Sequence, residues 1–398
     1  MKKHLLYIVA LAFLTTTTLD AQVVTSDSQL AYTKRNKDQI VNGATAYKSL
    51  IGRAKKELEV EIVPVTEKSI IAISGNPHDY VSMGPYWWPD ESKPDGLPYI
   101  RRDGQRNPEG ETLDRNKISV LCRTVSNLAY AYYFTGEERY AFKAVDNLKI
   151  WFLNEETKMN PHLNYGQMIP GRNNGMGRGT GIIDTYSFVD LVDCITILSS
   201  SQAMNRSDLK QLKQWFSDYV DWMLESDLGK DEKASKNNHG TAYDIQVAAY
   251  ALFAGRKDIT KEYASNFLET RVFAQIEPDG KQPLELERTM AMHYSIFNVD
   301  HMLDMVAIGN KVGVKFFDKV SEDGRSIPSA IDYIVTFLGK SEADFPYQQF
   351  KDWDMCQEKI CWLLRRASLV KKNKEYDKLF DQYVTTKASD LKWLFYAN

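Results

Sequence analysis

The stretch NNHGTAYDIQVAAYALFA, residues 237–254, decides the fold of this chain together with the segments that repeat its pattern. From Thr241 to Ala254 apolar residues recur at spacings of three and four, which is the period of a helix that buries one face. Gly255 follows and is a typical helix end. The same period recurs along most of the chain, whereas β-strand alternation is scarce and short. The sequence therefore predicts an all-α protein.

Helical periodicity extends over successive segments joined by shorter connections, and this arrangement favours antiparallel helix pairs. Ser207-Asp208 is expected to open one of these helices. No linker rich in Pro, Ser or Gly divides them, so residues 22–398 are predicted to form a single domain. The predicted helices are Asp27 to Leu58, Asp114 to Phe134, Glu138 to Leu153, Asp184 to Leu198, Asn205 to Glu225, Thr241 to Ala254, Ile259 to Ala274, Glu287 to Val312, Pro328 to Leu338 and Trp353 to Leu369.

The N-terminus has the order of a secretory signal peptide. Basic MKKH precedes an apolar run from Leu5 to Leu14, which is too short to span a membrane, and a small-residue site ends at Ala21. Residues 1–21 are therefore predicted to be removed, and no cysteine near the site could take a lipid. We expect a periplasmic or secreted protein that is not held in a membrane.

Charge and cysteine content limit the partners and cofactors. The formal net charge of −3 does not suit a general binder of nucleic acid or other polyanions. The cysteines lack metal-site spacing and are interpreted as buried small residues, although a disulfide between Cys122 and Cys194 stays open. We expect no metal and no other cofactor. The remaining cysteines are Cys356 and Cys361.

Short motifs late in the chain carry candidate catalytic chemistry. An amide, an imidazole and a guanidinium can bind a carboxylate, and a phenol with a lowered pKa can move a proton at the neighbouring carbon. This set suits β-elimination from a uronic acid, because the carboxylate must be neutralised before a base can remove the C5 proton. The motifs are Asn237-Asn238-His239, Glu287-Arg288 and His293-Tyr294.

The same motifs also allow a plainer interpretation. Asn238 is a good N-cap for a helix that begins near Thr241. Arg288 and Tyr294 could be an ordinary surface arginine and a core-facing tyrosine of an amphipathic helix.

Two long stretches without helical periodicity, Ser74 to Glu111 and Met159 to Gly181, are expected to carry function. The first holds Tyr86-Trp87-Trp88, whose rings could pack on sugars or could close the end of a helix bundle. The second is rich in glycine, amides and arginine, which would let its backbone approach a ligand. It lacks the Gly-Lys-Ser/Thr ending of a phosphate loop. Arginines that could pair with an acidic sugar are Arg101, Arg102, Arg106, Arg115, Arg123, Arg172 and Arg178.

From about Asn76 to about Asp304 the chain resembles the alginate lyase family of polysaccharide lyases. The resemblance implies an incomplete α/α toroid, or α/α barrel, in which inner and outer helices surround a cleft open to a polymer. It implies an acidic polysaccharide such as alginate as partner, no catalytic metal and a monomer. It rests on Tyr86-Trp87-Trp88-Pro89, Asn164-Tyr165-Gly166-Gln167, Gly177-Arg178-Gly179, Asn237-Asn238-His239, Arg288 and His293-Tyr294-Ser295.

Carried over by motif, Asn238 and Arg288 would neutralise the substrate carboxylate. His239 would neutralise or act as base, and Tyr294 would be base, acid or both. In β-mannuronate and β-glucuronate the C5 proton and O4 share one side of the ring, so Tyr294 could serve both steps; α-guluronate would need His239 as base and Tyr294 as acid. The residues expected to bind substrate are Tyr86, Trp87, Trp88, Asn164, Tyr165, Gln167, Arg172, Arg178, Asn237 and His293.

Two other function classes remain open on the residues alone. A glycoside hydrolase on a similar toroid would need two carboxylates, for which Glu285, Glu287 and Asp244 are the candidates. A sugar-binding protein would use the aromatic rings and leave His239 and Tyr294 without a chemical role. Among lyases, the resemblance favours mannuronate-rich alginate, with glucuronan as the alternative.

Overall fold

The computed structural model describes residues 22–396, and the predicted signal peptide lies outside them. The helices are α1 (Asp27–Asn36), α2 (Gly43–Glu57), α3 (Asp114–Thr135), α4 (Glu138–Phe152), α5 (Phe188–Leu198), α6 (Arg206–Glu225), α7 (Asp227–Lys233), α8 (Asn238–Ala254), α9 (Lys257–Phe267), α10 (Phe273–Gln275), α11 (Pro283–Leu286), α12 (Ala291–Lys311), α13 (Ile327–Val335), α14 (Trp353–Val370), α15 (Lys374–Tyr383) and α16 (Lys392–Phe395).

The helices form two layers. Helices α3, α5, α8, α12 and α14 each contact the next in that order and make an inner layer, and α4, α9 and α15 pack against α3, α8 and α14. Only Gly136 and Glu137 separate α3 from α4, and only Gly255 and Arg256 separate α8 from α9, so each pair runs antiparallel. The prediction of an all-α, incomplete α/α toroid of antiparallel helix pairs is confirmed.

The inner layer is buried because its helices have apolar side chains on most of their faces. In α5 every residue except Asp190 is buried, and in α8 the buried residues run from Asn238 to Phe253 with few gaps. One apolar cluster extends from Val23 to Leu394. Burying each large apolar side chain contributes about 1.5–3 kcal/mol. All four cysteines lie in buried positions as free thiols, as expected of small core residues.

Several predicted helix bounds are wrong, and each error has a local cause. The predicted helix from Asp27 to Leu58 is two helices, because Asn42 takes a left-handed conformation with φ of 60° before α2. The predicted helix over Ile259 to Ala274 changes to a π-helical turn at Leu268–Val272. Asn205, rather than Ser207-Asp208, caps α6, because its side chain accepts from the Asp208 backbone N–H.

Other predicted helices begin late or were not predicted. A 3-10 helix over Gly179–Thr185 occupies the start of the segment predicted from Asp184, and α5 begins only at Phe188. Helix α12 begins only at Ala291. Arg288 lies before it, and its side chain pairs with Asp103 of the first long loop. Helices α7 and α15 were not predicted.

Two small sheets organise the long loops, and one of them joins the two loops. Strand β1 (Val81–Met83) pairs in parallel with β4 (Tyr165–Met168), which joins the first loop to the second. Strand β2 (Trp87–Trp88) pairs antiparallel with β3 (Ile100–Arg101). The pairing brings aromatic and basic residues of both loops to one end of the toroid.

Candidate active site

A cavity of about 520 Å³ lies where these loops meet the first turns of α8 and α12. All four predicted catalytic residues, Asn238, His239, Arg288 and Tyr294, line it. The fold thus brings together residues that are about 50 positions apart in the chain. Other predicted substrate-binding residues in the lining are Tyr86, Trp87, Gln167, Arg178, Asn237 and His293.

Four predicted substrate-binding residues, Trp88, Asn164, Tyr165 and Arg172, do not line this cavity. Trp88 donates its indole N–H to the backbone oxygen of Gln105. The Asn164 amide accepts from the Trp222 indole, and Tyr165 belongs to a small buried apolar cluster. The Arg172 guanidinium lies 5.2 Å from the Trp87 ring centroid, so it contacts the lining from outside.

In the first turn of α8 the two adjacent asparagines make different contacts. Asn237, not Asn238, is the N-cap, and its side chain accepts from the His239 backbone N–H. Asn238 is instead held by Glu285, which accepts from both its backbone N–H and its side-chain amide at 2.7 Å. That contact leaves one hydrogen of the Asn238 amide to meet a ligand.

His239 is oriented by a carboxylate from the preceding helix. Its Nδ1 lies 2.6 Å from Oε1 of Glu232, which is 1% exposed. Because an ionised carboxylate only accepts, Nδ1 donates, and Nε2 is the nitrogen that can exchange a proton with a ligand.

Arg288 is paired with Asp103 of the first loop, from which its Nη2 lies 2.9 Å. Burial raises the pKa of Asp103, but the hydrogen bond and charge of Arg288 outweigh burial and lower it to about 2. The ion pair fixes the guanidinium over the Tyr294 ring, 3.8 Å from its centroid. A substrate carboxylate would therefore meet Arg288 in a set orientation.

The structure corrects the expected ionisation of Tyr294. Its hydroxyl lies 2.8 Å from that of Tyr86, and its side chain is 8% exposed. Burial raises the pKa of Tyr294, the nearby Tyr86 raises it further, and Arg288 only partly opposes them. The pKa of Tyr294 is thus raised and not lowered as expected, which favours the neutral phenol.

The lining is strongly basic. No Asp or Glu side chain lines the cavity within residues 22–396. A pocket lined by several arginines attracts an anionic ligand through charge complementarity. Its arginines are Arg101, Arg106, Arg115, Arg178 and Arg288.

The fold selects among the arginines that the sequence offered as partners of an acidic sugar. Arg101, Arg106 and Arg115 line the cavity, whereas Arg102 and Arg123 lie outside its lining and pair with Glu91 and Glu57. The lining residues that no sequence pattern indicated belong to the first loop, to the 3-10 helical segment and to the second turn of α12. They are Pro85, Thr180, Ile183, Tyr186 and Phe297.

His293 lies at the rim beside Lys359, whose Nζ is 3.2 Å from its Nδ1. Burial and then the charge of Lys359 lower the pKa of His293 to about 4. The ring is therefore neutral near pH 7 and does not add positive charge to the pocket.

The glycines of the second long loop allow close packing within the loop. A Cβ on Gly177 would lie 2.5 Å from the backbone oxygen of Gly166, and one on Gly181 would lie 2.5 Å from the same atom. These contacts are to protein backbone, so these glycines fold the loop on itself instead of opening it to a ligand.

The carboxylates that a hydrolase would use are engaged elsewhere. Asp244 forms a buried ion pair with Arg271, with 2.7 Å between Oδ2 and Nε. Glu285 is held by Asn238, and burial raises its pKa against those hydrogen bonds. Glu287 is exposed outside the cavity. Among residues 22–396, no two carboxylates face each other across the cavity as a hydrolase would need.

Two further observations concern the described residues. Within 22–396 no group of three or more His, Cys, Asp or Glu side chains is arranged to hold a metal ion. None of the helices in this range combines the length and apolar character that crossing a membrane requires.

Comparison with known proteins gives consistent matches. A model of the alginate lyase family matches residues 64–345. The chain is similar to the crystal structure of an alginate lyase from Bacteroides ovatus, with 49% identity, a TM-score of 0.92, and coverage of 94% of this chain and 98% of that one. No curated protein sequence matches significantly.

A more distant structure, alginate lyase A1-III from Sphingomonas species A1, shares 13% identity at a TM-score of 0.55, covering 91% of this chain and 98% of the other. At that identity it shows the fold alone. The family match spans well over half of the chain, and the Bacteroides ovatus structure resembles it along nearly its whole length. This chain therefore belongs to the alginate lyase family of polysaccharide lyases.

Proposed function

We propose that this lyase cleaves 1,4-linked polyuronate, with mannuronate-rich alginate as substrate, by β-elimination. One observation carries the proposal: a basic cavity without lining carboxylates, within residues 22–396, holds His239 and Tyr294 beside Arg288. Such a lining can neutralise an acidic sugar and exchange protons with it, whereas it gives a hydrolase no acid and base pair.

Neutralisation of the C5 carboxylate falls to Asn238 and Arg288, and His239 contributes to it when Nε2 carries a proton or serves as base when it does not. Arg288 presents a fixed guanidinium, and Asn238 offers the amide hydrogen that Glu285 does not use. Neutralising the carboxylate makes the C5 proton more acidic, because the carbanion charge spreads onto oxygens that the site already holds.

Tyr294 moves the protons on a mannuronate residue. A base takes the C5 proton, the C5–H electron pair forms the C4–C5 double bond, and the C4–O4 bond breaks as O4 receives a proton. Because both positions lie on one side of β-mannuronate, a Tyr294 phenolate can take the first proton and return it to O4. Arg288 over the ring would stabilise that phenolate against the effect of burial.

The neutral phenol of Tyr294, which burial favours, is the form that donates to O4. For a residue whose C5 proton lies on the opposite side, as in guluronate, Nε2 of His239 would be the base and Tyr294 the acid. Tyr86, Trp87, Gln167 and Arg178 would hold neighbouring sugars.

The proposal also covers the signal peptide and the extent of the catalytic domain. We infer that residues 1–21 direct export to the periplasm or the medium and that 22–398 form the catalytic domain, acting as a monomer. The apolar cluster that runs from Val23 to Leu394 supports a single domain.

Ultraviolet absorbance of the unsaturated uronate product tests the proposal on purified mannuronan, guluronan, mixed alginate and glucuronan. The expected result is an absorbance rise that is fastest with mannuronan. New reducing ends without the absorbance would indicate hydrolysis. A rise with glucuronan alone would move the substrate to that polymer, and polymer binding without cleavage would indicate a sugar-binding protein.

A further inference from the structure

Carboxylates stand behind the catalytic groups, outside the cavity. Glu232 contacts His239 and Glu285 contacts Asn238, and each carboxylate residue is 1% exposed. A buried charge is costly unless it is paired or hydrogen-bonded. The contact therefore holds both groups, because the His239 ring pairs the buried Glu232 carboxylate and Glu232 orients the ring.

We propose that Glu232 is a positioning residue, which fixes the proton of His239 on Nδ1 and so makes Nε2 the atom that meets the substrate. This inference rests on the proposed role of His239 in the elimination. The 2.6 Å contact joins Glu232 Oε1 to Nδ1, and no hydrogen bond to Nε2 is formed by the described residues. In the neutral ring Nε2 then carries the lone pair.

The support of Glu232 is itself built into the fold. Its second carboxylate oxygen lies 3.4 Å from the Ser235 hydroxyl, which donates to it. The second long loop packs directly on α7 at Gly179, where a Cβ would lie 2.8 Å from the Leu228 backbone oxygen and 2.9 Å from the Glu232 nitrogen. This close approach, which needs glycine, sets the distance between α7 and the cavity wall.

The chemical consequence concerns the protonated ring. On a guluronate residue, where His239 is the proposed base, Nε2 takes a proton from C5, and the imidazolium donates from Nδ1 to the Glu232 carboxylate, which stabilises it as the buried aspartate does in a Ser-His-Asp triad. The proton then passes from Nε2 to water, which restores the neutral ring. Glu232 touches only His239 in this step and acts through it.

Glu232→Gln tests the proposal in the full-length mature enzyme. We expect kcat on guluronan, for which His239 is the proposed base, to fall by about 10- to 100-fold with KM within about twofold, as is typical when an outer partner of a functional histidine is lost. Asp227→Asn, the same charge change at a fully exposed position of α7, should leave kcat unchanged.

Heteronuclear NMR of the ring nitrogens gives a readout that does not depend on turnover, with the His239 signal assigned by His239→Asn. We expect a proton on Nδ1 in the wild type and a mixture of tautomers in Glu232→Gln. A wild-type proton on Nε2, or a Glu232→Gln enzyme with unchanged kcat on guluronan, would overturn the role of Glu232. A wild type that cleaves no polyuronate would overturn the proposed function, while the tautomer result still decides this inference.

Discussion

The hydroxyl of Tyr86 lies 2.8 Å from the hydroxyl of Tyr294, although 208 residues separate them in the chain. The contact joins the first long loop to the first turn of α12 across the cavity. Either hydroxyl can donate in this contact, and the neighbouring Tyr86, together with burial, favours the neutral form of Tyr294. The pair therefore places a second proton-carrying group beside the proposed acid and base.

Tyr294→Phe should abolish turnover and leave polymer binding largely intact, because it removes the proton carrier and keeps the ring. Loss of such a group costs about 10²–10⁴-fold in rate. Absorbance assays and polymer affinity measure the two effects. Tyr165→Phe, which removes a phenol hydroxyl outside the cavity, is the matched control. Near wild-type turnover in Tyr294→Phe would rule out its assigned role.

His239→Ala should lower kcat of the folded enzyme by about 10²–10⁴-fold. It should also lower stability, because the buried Glu232 carboxylate loses the ring as its partner. Asn237→Ala should act mainly on stability and lower the free energy of unfolding by about 1 kcal/mol, because Asn237 is the residue that caps α8. Chemical denaturation and kinetics on the folded enzyme separate the two. If His239→Ala lost only stability, the ring would be structural.

Trp87→Ala should raise KM for long polymer more than it lowers kcat, because stacking holds ground state and transition state alike. Trp87 lines the cavity, and Trp88 does not. Trp88→Ala therefore serves as the comparison and should change KM less. Equal effects on KM would mean that the polymer also contacts Trp88, outside the cavity.

His293 should make the wild type sensitive to mild acid. Its pKa is lowered to about 4 by burial and by Lys359, from about 6.5 in the unfolded chain. The unfolded state thus binds more protons between these values, and stability present above about pH 6.5 is lost as pH falls through about 4. His293→Gln should remove up to about 3 kcal/mol of this pH dependence. Unfolding free energies measured from pH 7 to pH 4 test it, and parallel curves would refute it.

Sequence alone determined the helical class, because the period of apolar residues is a local property that any helix burying one face must show. It also supplied the candidate catalytic set, whose residues the fold brings to one cavity and whose catalytic roles stay predictions. The helical prediction holds where local and tertiary demands agree. Thr241 to Ala254 lies within α8, which ends before Gly255 as expected.

Tertiary structure alone decided which asparagine caps α8, which loop residues reach the cavity and how Tyr294 ionises. Glu232, Glu285 and Asp103 hold His239, Asn238 and Arg288 from positions 7, 47 and 185 residues away. Such contacts leave no periodic signal in a sequence. The raised pKa of Tyr294 arises from burial by residues distant in the chain. Desolvation depends on everything packed around a group, so it exists only once the toroid has formed.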